Sequence, residues 1–245
     1  MTLFFFPFAG GSEYFYMSWF NLFIQKTNII TINLPGRGKN FGSPLIYEYG
    51  KLVDVCISQV LEYQDLGHIM FFGHSMGAKL AFDVAEKLEY EYNLSVSYLF
   101  LSGSSFHDSN EDEQLHNHSD TFLAQKVVSW GGNTQSEIES SDYIKFFLPI
   151  LRADLKALTD RKKNKSVSRR INANLLFFFS TADDGLTYEC ALSWKEMISG
   201  KFSIKTYPGN HFFINHYKRA IIDEINSEIL WLHSQDSNKK LHSFK

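Results

Sequence analysis

The pentapeptide Gly73-His74-Ser75-Met76-Gly77 constrains this chain more than any other segment. An apolar run, His68-Ile69-Met70-Phe71-Phe72, comes before it, and a helical pattern of apolar residues follows. A serine between a strand and a helix, flanked by glycines that leave room for a sharp turn, is typical of a nucleophile elbow. Such a turn holds the serine hydroxyl above the end of a sheet, where the helix N-terminus favours negative charge. The pattern predicts acyl chemistry through Ser75.

Strand-like and helical patterns alternate along most of the chain. The strand candidates are continuous apolar runs, as expected when helices cover both faces of a parallel sheet. The alternation predicts βαβ units, so we expect an α/β fold with a doubly wound, mostly parallel sheet, as a single domain over residues 1–245. The strand candidates are residues 3–6, 29–34, 68–72, 98–102, 174–179 and 202–207, and the helix candidates are residues 52–64, 76–90, 188–199 and 217–234.

Residues 104–170 break this alternation. They contain no convincing strand, whereas residues 120–130 and 141–160 have helical patterns, and Pro149 suits a first helical turn or a kink. We expect this insertion to be a helical lid over the carboxyl edge of the sheet, where it would gate access and exclude water. A helical decoration without a gating role is the alternative.

Composition excludes several classes of protein. A net charge of −3 argues against a nucleic-acid partner. Cys56 and Cys190 lie in apolar helical patterns and are expected to be buried thiols in a reducing compartment. The N-terminus lacks the basic region of a signal peptide, and no apolar run approaches the roughly 18 residues of a membrane span. We therefore expect a cytoplasmic protein without membrane, metal or organic cofactor.

Candidate partners for Ser75 follow two later strand candidates. A serine nucleophile needs a base, and the base needs a carboxylate that fixes its tautomer. In α/β-hydrolases the chain order is Ser, then Asp or Glu, then His. His211 follows residues 202–207 and is the expected base, while Asp183 and Asp184 follow residues 174–179. Asp184 is the preferred carboxylate and Asp183 the alternative.

Two backbone N–H groups are expected to stabilise an oxyanion. One belongs to Met76, which follows the nucleophile, and the other to Ala9, in the glycine-containing loop after the first strand candidate. The alternative for that loop is an ordinary strand-ending turn.

The remaining histidines are not expected to react. His74 lies within the elbow, where its side chain should point away from Ser75 and help to shape the turn. For His107, His116 and His118, in the insertion, a solvated polar loop is favoured over a metal cluster.

Four further segments extend the pattern of the elbow along the chain. They are Phe6-Pro7-Phe8-Ala9-Gly10-Gly11-Ser12, Leu34-Pro35-Gly36-Arg37, Leu148-Pro149-Ile150-Leu151-Arg152-Ala153-Asp154 and Pro208-Gly209-Asn210-His211-Phe212-Phe213. With the elbow, they resemble the type II thioesterases, stand-alone α/β-hydrolases that serve nonribosomal peptide and polyketide synthetases. The resemblance runs from about Leu3 to Trp231.

The resemblance implies an activity and a partner. Ser75, Asp184 and His211 match the catalytic triad of the family, and Met76 and Ala9 match its oxyanion donors. The family hydrolyses misprimed or stalled acyl groups from the phosphopantetheine arm of carrier proteins, so we expect an acyl or peptidyl carrier protein as partner and a monomeric enzyme. A small-molecule carboxylesterase or acyltransferase, or a catalytically silent carrier-binding module, is the alternative.

The chain departs from the family pattern at two places. Ser180-Thr181 and Gly185 stand where the family has glycines and a proline around its aspartate, and Ser104-Ser105-Phe106 replaces Arg-Ala-Pro, so the acyl preference does not transfer. The basic stretch Arg161–Lys165, with Arg169 and Arg170, is a candidate docking patch for an acidic carrier protein, and a solvated charged loop is the alternative.

Overall fold

A parallel β-sheet forms the centre of the molecule. The computed structural model describes residues 1–25, 27–63, 67–107, 114–164 and 168–242, and side chains throughout these ranges except at 164 and 237–242. Within these residues, six strands form one sheet in the order β2-β1-β3-β4-β5-β6, and every neighbouring pair is parallel. The strands are β1 (Thr2–Phe6), β2 (Asn28–Thr31), β3 (Ile69–His74), β4 (Tyr98–Ser102), β5 (Asn174–Ser180) and β6 (Phe202–Tyr207). The expected α/β architecture is confirmed.

Helices pack on both faces of this sheet. The described α-helices are α1 (Tyr49–Leu61), α2 (Met76–Tyr92), α3 (Asp120–Trp130), α4 (Gln135–Ile138), α5 (Leu148–Asn164), α6 (Tyr188–Leu192) and α7 (Lys218–His242). Side chains of α1, α2 and α6 belong to one apolar cluster. Side chains of α7 and of the 3-10 helix Glu13–Leu22 belong to a second.

Both faces are buried because successive strand residues point to opposite sides of a sheet. In β1, Phe4 and Phe6 join the cluster with α1 and α2, whereas Leu3 and Phe5 join the cluster with α7. Phe4 meets Phe71 of β3 edge to face, with ring centroids 5.8 Å apart. This two-sided burial explains why the strands are continuous apolar runs in the sequence.

The C-terminal helix α7 presents one apolar stripe to the sheet. Ile221, Ile225, Ile229 and Leu232 are all buried against the sheet. Strand β2, by contrast, ends at Thr31 and not at residue 34. The Gln59 side chain of α1 accepts the N–H of Asn33 and donates to its carbonyl, so a side chain replaces the strand ladder there.

The insertion has an apolar core of its own. Its described part contains no strand, as expected, and α3, α4 and α5 bury Leu123, Val127 and Leu151 together. Residues 141–160 are helical, as predicted, and Pro149 lies in the first turn of α5, with a π-helical turn, Tyr143–Phe147, before it. Pro149 in the first turn of α5 has no N–H to donate to the preceding turn, which interrupts the regular α-helical ladder.

The two cysteines differ in burial. Both are free thiols; Cys56 is buried, as expected, but Cys190 is half-buried in the short helix α6. In the described part of the chain, no helix has both the length and the apolar character needed to cross a membrane.

Candidate active site

Ser75 occupies a strained turn between β3 and α2. Its φ of 56° and ψ of −121° lie in a region that residues with a side chain rarely adopt. A Cβ on Gly73 would clash with the carbonyl of Gly77, and a Cβ on Gly77 would clash with the carbonyl of Phe6. Only glycine fits at both positions, so the sequence pattern and the observed elbow have the same steric cause.

The carboxylate that contacts His211 belongs to Asp183. Asp183 Oδ2 lies 2.8 Å from His211 Nδ1, and the Asp183 side chain is only 4% exposed. Asp184 is exposed, so the structure places Asp183 in contact with His211, and not Asp184, the residue preferred from the sequence.

Backbone hydrogen bonds between two loops explain this choice. Past the ends of β5 and β6, the N–H of Thr181 donates to Tyr207 and the N–H of Ala182 donates to Gly209, at 3.0 and 3.1 Å. The loops therefore continue side by side beyond the sheet, which brings residue 183 beside the histidine loop. The Asp183 carbonyl also accepts the N–H of Leu186, which closes a turn and leaves residue 184 on its outer side.

One cavity of about 400 Å³ brings the predicted residues together. The core contributes Ser75, Met76, Ala9, Asp183 and His211 to its wall. The insertion contributes residues that include Leu115, Lys126, Ser129, Trp130, Leu155 and Leu158. The cavity therefore lies between the carboxyl edge of the sheet and the insertion.

The two expected oxyanion donors are available at this cavity. Among the described residues, neither the N–H of Ala9 nor that of Met76 donates to another protein group. Met76 is the first residue of α2, whose N-terminal N–H groups have no partner within the helix. The neighbouring N–H groups are engaged: Gly10 donates to Asp154 and Gly11 to the carbonyl of Phe8.

His74 contacts His211, which the sequence did not predict. The His74 ring is fully buried, its Nδ1 lies 2.9 Å from Ser102 Oγ, and its centroid lies 4.8 Å from that of His211. Burial, assisted by the nearby His211, lowers the pKa of His74 well below 6.5. A neutral imidazole therefore packs against the candidate base. No sequence signal could identify this contact, since it depends on where the loop after β6 lies.

The insertion histidines form no metal site among the described residues. The carbonyls of His116 and His118 accept hydrogen bonds from Arg152, which also forms an ion pair with Asp120. Their backbone therefore helps to hold the insertion together.

The basic stretch, which begins in the last turn of α5 and continues after it, is only partly at the surface. Arg161 is buried, and its Nε lies 2.6 Å from Asp83 Oδ2 of α2. Arg169 stacks on Tyr90 at 4.0 Å, and Arg170 Nε donates to the carbonyl of Ile198. The expectation that Arg161 contributes to a docking patch is therefore wrong, because its charge is used inside the protein. Lys165 lies outside the described residues.

The sheet, the elbow and the histidine–aspartate pair define an α/β-hydrolase of the serine type. The family model described as "Thioesterase domain" matches residues 1–229. The chain therefore belongs to the thioesterase domain family, and the resemblance to type II thioesterases is confirmed.

Individual relatives agree with this assignment. The chain is 28% identical to a probable cadicidin biosynthesis thioesterase of Streptomyces griseus over 91% of its own length, and it spans 60% of that protein. It is 26% identical to the gramicidin S biosynthesis protein GrsT of Aneurinibacillus migulanus, covering 91% of this chain and 86% of GrsT. The structure of RedJ, a thioesterase from the prodiginine biosynthetic pathway of Streptomyces coelicolor, superposes with a TM-score of 0.84 at 28% identity, over 93% of this chain and 85% of RedJ.

The buried His74 makes stability depend on pH. Below pH 6.5 the unfolded chain protonates this residue, whereas the folded protein does not, so stability is lost as the pH falls. We expect wild type to lose about 1.4 kcal/mol more unfolding free energy than His74→Gln between pH 7.5 and pH 5.5. Urea titrations at both values measure the difference, and equal losses in the two proteins would contradict a neutral His74.

Proposed function

We propose that this enzyme hydrolyses acyl thioesters carried on the phosphopantetheine arm of carrier proteins, with Ser75, His211 and Asp183 as catalytic triad. The observation that carries the proposal is the 2.8 Å contact between His211 Nδ1 and the buried carboxylate of Asp183, at the cavity that Ser75 lines. A buried carboxylate behind a histidine is the arrangement that a serine nucleophile requires.

The first step moves a proton from Ser75 to His211. Asp183 accepts the Nδ1–H of the imidazole, which leaves the unprotonated Nε2 to act on the Ser75 hydroxyl. As the serine oxygen attacks the thioester carbonyl, its proton passes to Nε2. The carboxylate of Asp183 then stabilises the imidazolium that results.

The second step distributes charge over the oxyanion donors. The tetrahedral intermediate places its negative oxygen between the N–H groups of Met76 and Ala9, and the helix N-terminus at Met76 adds to the stabilisation.

The C–S bond breaks, the pantetheine thiol takes the proton from His211, and an acyl-serine remains. Water, deprotonated by the same histidine, then attacks the acyl-serine, and the free acid leaves while Ser75 regains its proton.

The insertion supplies a cover for this chemistry. Because α3 and α5 contribute Trp130 and Leu155 to the cavity wall, an acyl group in the cavity is shielded from bulk water. The names of the relatives support a biosynthetic setting, since the cadicidin and gramicidin S proteins are both named for biosynthesis. A carrier protein presenting its acyl group on a pantetheine arm is the substrate that fits this setting. No step uses a metal ion or an organic cofactor.

Removal of the nucleophile tests the mechanism. We expect Ser75→Ala to fold normally and to lose roughly 10⁴–10⁶-fold in kcat on an acyl carrier protein, because no other group forms the acyl intermediate. A serine-directed fluorophosphonate should label wild type and Ser105→Ala, a variant of another cavity serine, but not Ser75→Ala. Wild-type turnover by Ser75→Ala would remove the mechanism. A higher kcat/KM for a simple oxygen ester than for the carrier-bound thioester would instead favour a carboxylesterase.

The two adjacent aspartates offer a matched pair of variants. Asp183→Asn removes the charge that stabilises the His211 imidazolium and is expected to lower kcat roughly 10³–10⁴-fold. Asp184→Asn, one residue away and exposed, is expected to stay within about threefold of wild type. Steady-state kinetics of both variants measure the contrast, and a larger loss in Asp184→Asn would assign the triad carboxylate to Asp184.

A further inference from the structure

One buried carboxylate of the insertion holds the loop that carries Ala9. Asp154, in the middle of α5, is fully buried, and its Oδ2 accepts the N–H of Gly10 at 2.7 Å. The two residues are 144 positions apart in the sequence. A helix of the insertion is thus hydrogen-bonded to the loop after β1.

Arg37 completes this contact from a third segment. Its guanidinium forms a two-pronged ion pair with Asp154, with Nη1–Oδ2 and Nη2–Oδ1 distances of 2.5 and 2.7 Å, and both side chains are at most 1% exposed. Nη1 also lies 3.4 Å from the carbonyl of Gly11. A buried carboxylate without a partner is costly, so Arg37 both neutralises Asp154 and contacts the same loop.

The loop geometry explains why this contact matters for Ala9. Gly11 donates to the carbonyl of Phe8 at 2.8 Å, which closes a turn with Ala9 and Gly10 at its centre, and the φ of Gly10 is +77°. A positive φ at the third position is typical of a type II turn. In a trans peptide the N–H points opposite to the carbonyl, so the bond to Phe8 fixes the direction of the Ala9 N–H. The bond to Asp154 fixes the next peptide.

We propose that Asp154, paired with Arg37, is a positioning residue that orients the Ala9 N–H for oxyanion stabilisation and so makes this half of the oxyanion site depend on α5. The inference rests on the proposed function, because it needs a reaction in which an oxyanion forms. Asp154 does not touch the reacting atoms; it acts through the peptide group of Gly10.

The same helix provides an internal control. Arg161 lies seven positions after Asp154 in α5. It is buried and forms a second ion pair with the half-buried Asp83 of α2, to which it donates through Nε and Nη2. This pair also fixes α5 to the core, but it joins α5 to α2 and not to the loop of Ala9. Loss of either pair should weaken the attachment of α5, whereas only loss of the Asp154 pair should disturb the oxyanion site.

The experiment compares the kcat and KM of Asp154→Asn and Asp83→Asn for hydrolysis of an acyl group carried by an acyl carrier protein. The temperature is one at which circular dichroism shows both variants to be folded. Asp154→Asn is expected to lower kcat about 10–100-fold and to change KM less than about threefold. The loss in kcat is smaller than the roughly 10²–10³-fold loss on removal of one oxyanion donor, because the Ala9 N–H is misaligned and not removed. Asp83→Asn is expected to lower the Tm but to keep kcat within about threefold of wild type. The rate of fluorophosphonate labelling should fall with kcat in Asp154→Asn, because phosphonylation of Ser75 uses the same N–H donors.

A wild-type kcat in Asp154→Asn, or equal losses of kcat in both variants, would overturn the inference and leave a structural role only. If Asp154→Asn does not fold, Arg37→Lys and Arg161→Lys form a second matched pair, in which the charge remains but the planar fork is lost. Arg37→Lys should then lower kcat about threefold to tenfold and Arg161→Lys should not; the absence of that contrast overturns the inference. Failure of wild type to hydrolyse any thioester would instead contradict the proposed function, so the two failures are distinct.

Discussion

The site depends on one constraint, the parallel arrangement of every neighbouring pair of strands. Parallel strands place all their carboxyl ends at the same edge of the sheet, and β1, β3, β5 and β6 therefore bring Ala9, Ser75, Asp183 and His211 to one cavity. Residues that lie up to two hundred positions apart need no long connecting segment to meet. The insertion between β4 and β5 then needs only to cover that edge to enclose a reaction.

Much of this arrangement could be predicted because its causes are local. The elbow requires glycine at two positions for steric reasons, so the turn that carries Ser75 could be predicted from the sequence alone. The apolar runs predicted where β1 to β6 lie along the chain, and His211 follows the last of these runs. The insertion was also recognisable, because its polar and helical segments interrupt a regular alternation of strands and helices.

The errors concern contacts made between distant loops. Asp183 and Asp184 have the same side chain. Which of them contacts His211 depends on the backbone hydrogen bond from Ala182 to Gly209, which no local sequence pattern predicts. The contact of His74 with His211 depends on the same loop. Asp154 and Arg37 lie in segments that stand out in the sequence only by their resemblance to a family. Their ion pair depends on the meeting of α5, the loop after β1 and the loop after β2, which no local pattern predicts.

The two ion pairs of α5 have a consequence for the walls of the cavity. They fix this helix to the core at both Arg37 and Asp83, whereas α3 is linked to α5 through the largely exposed Arg152–Asp120 pair, a type of contact usually worth less than about 1 kcal/mol. Among the described residues, α3 and α4 form no ion pair with the core, and they pack on α5 through a shared apolar cluster. Apolar packing is non-directional, whereas a two-pronged ion pair fixes an orientation, so directional bonds set the position of the α5 wall of the cavity relative to the sheet.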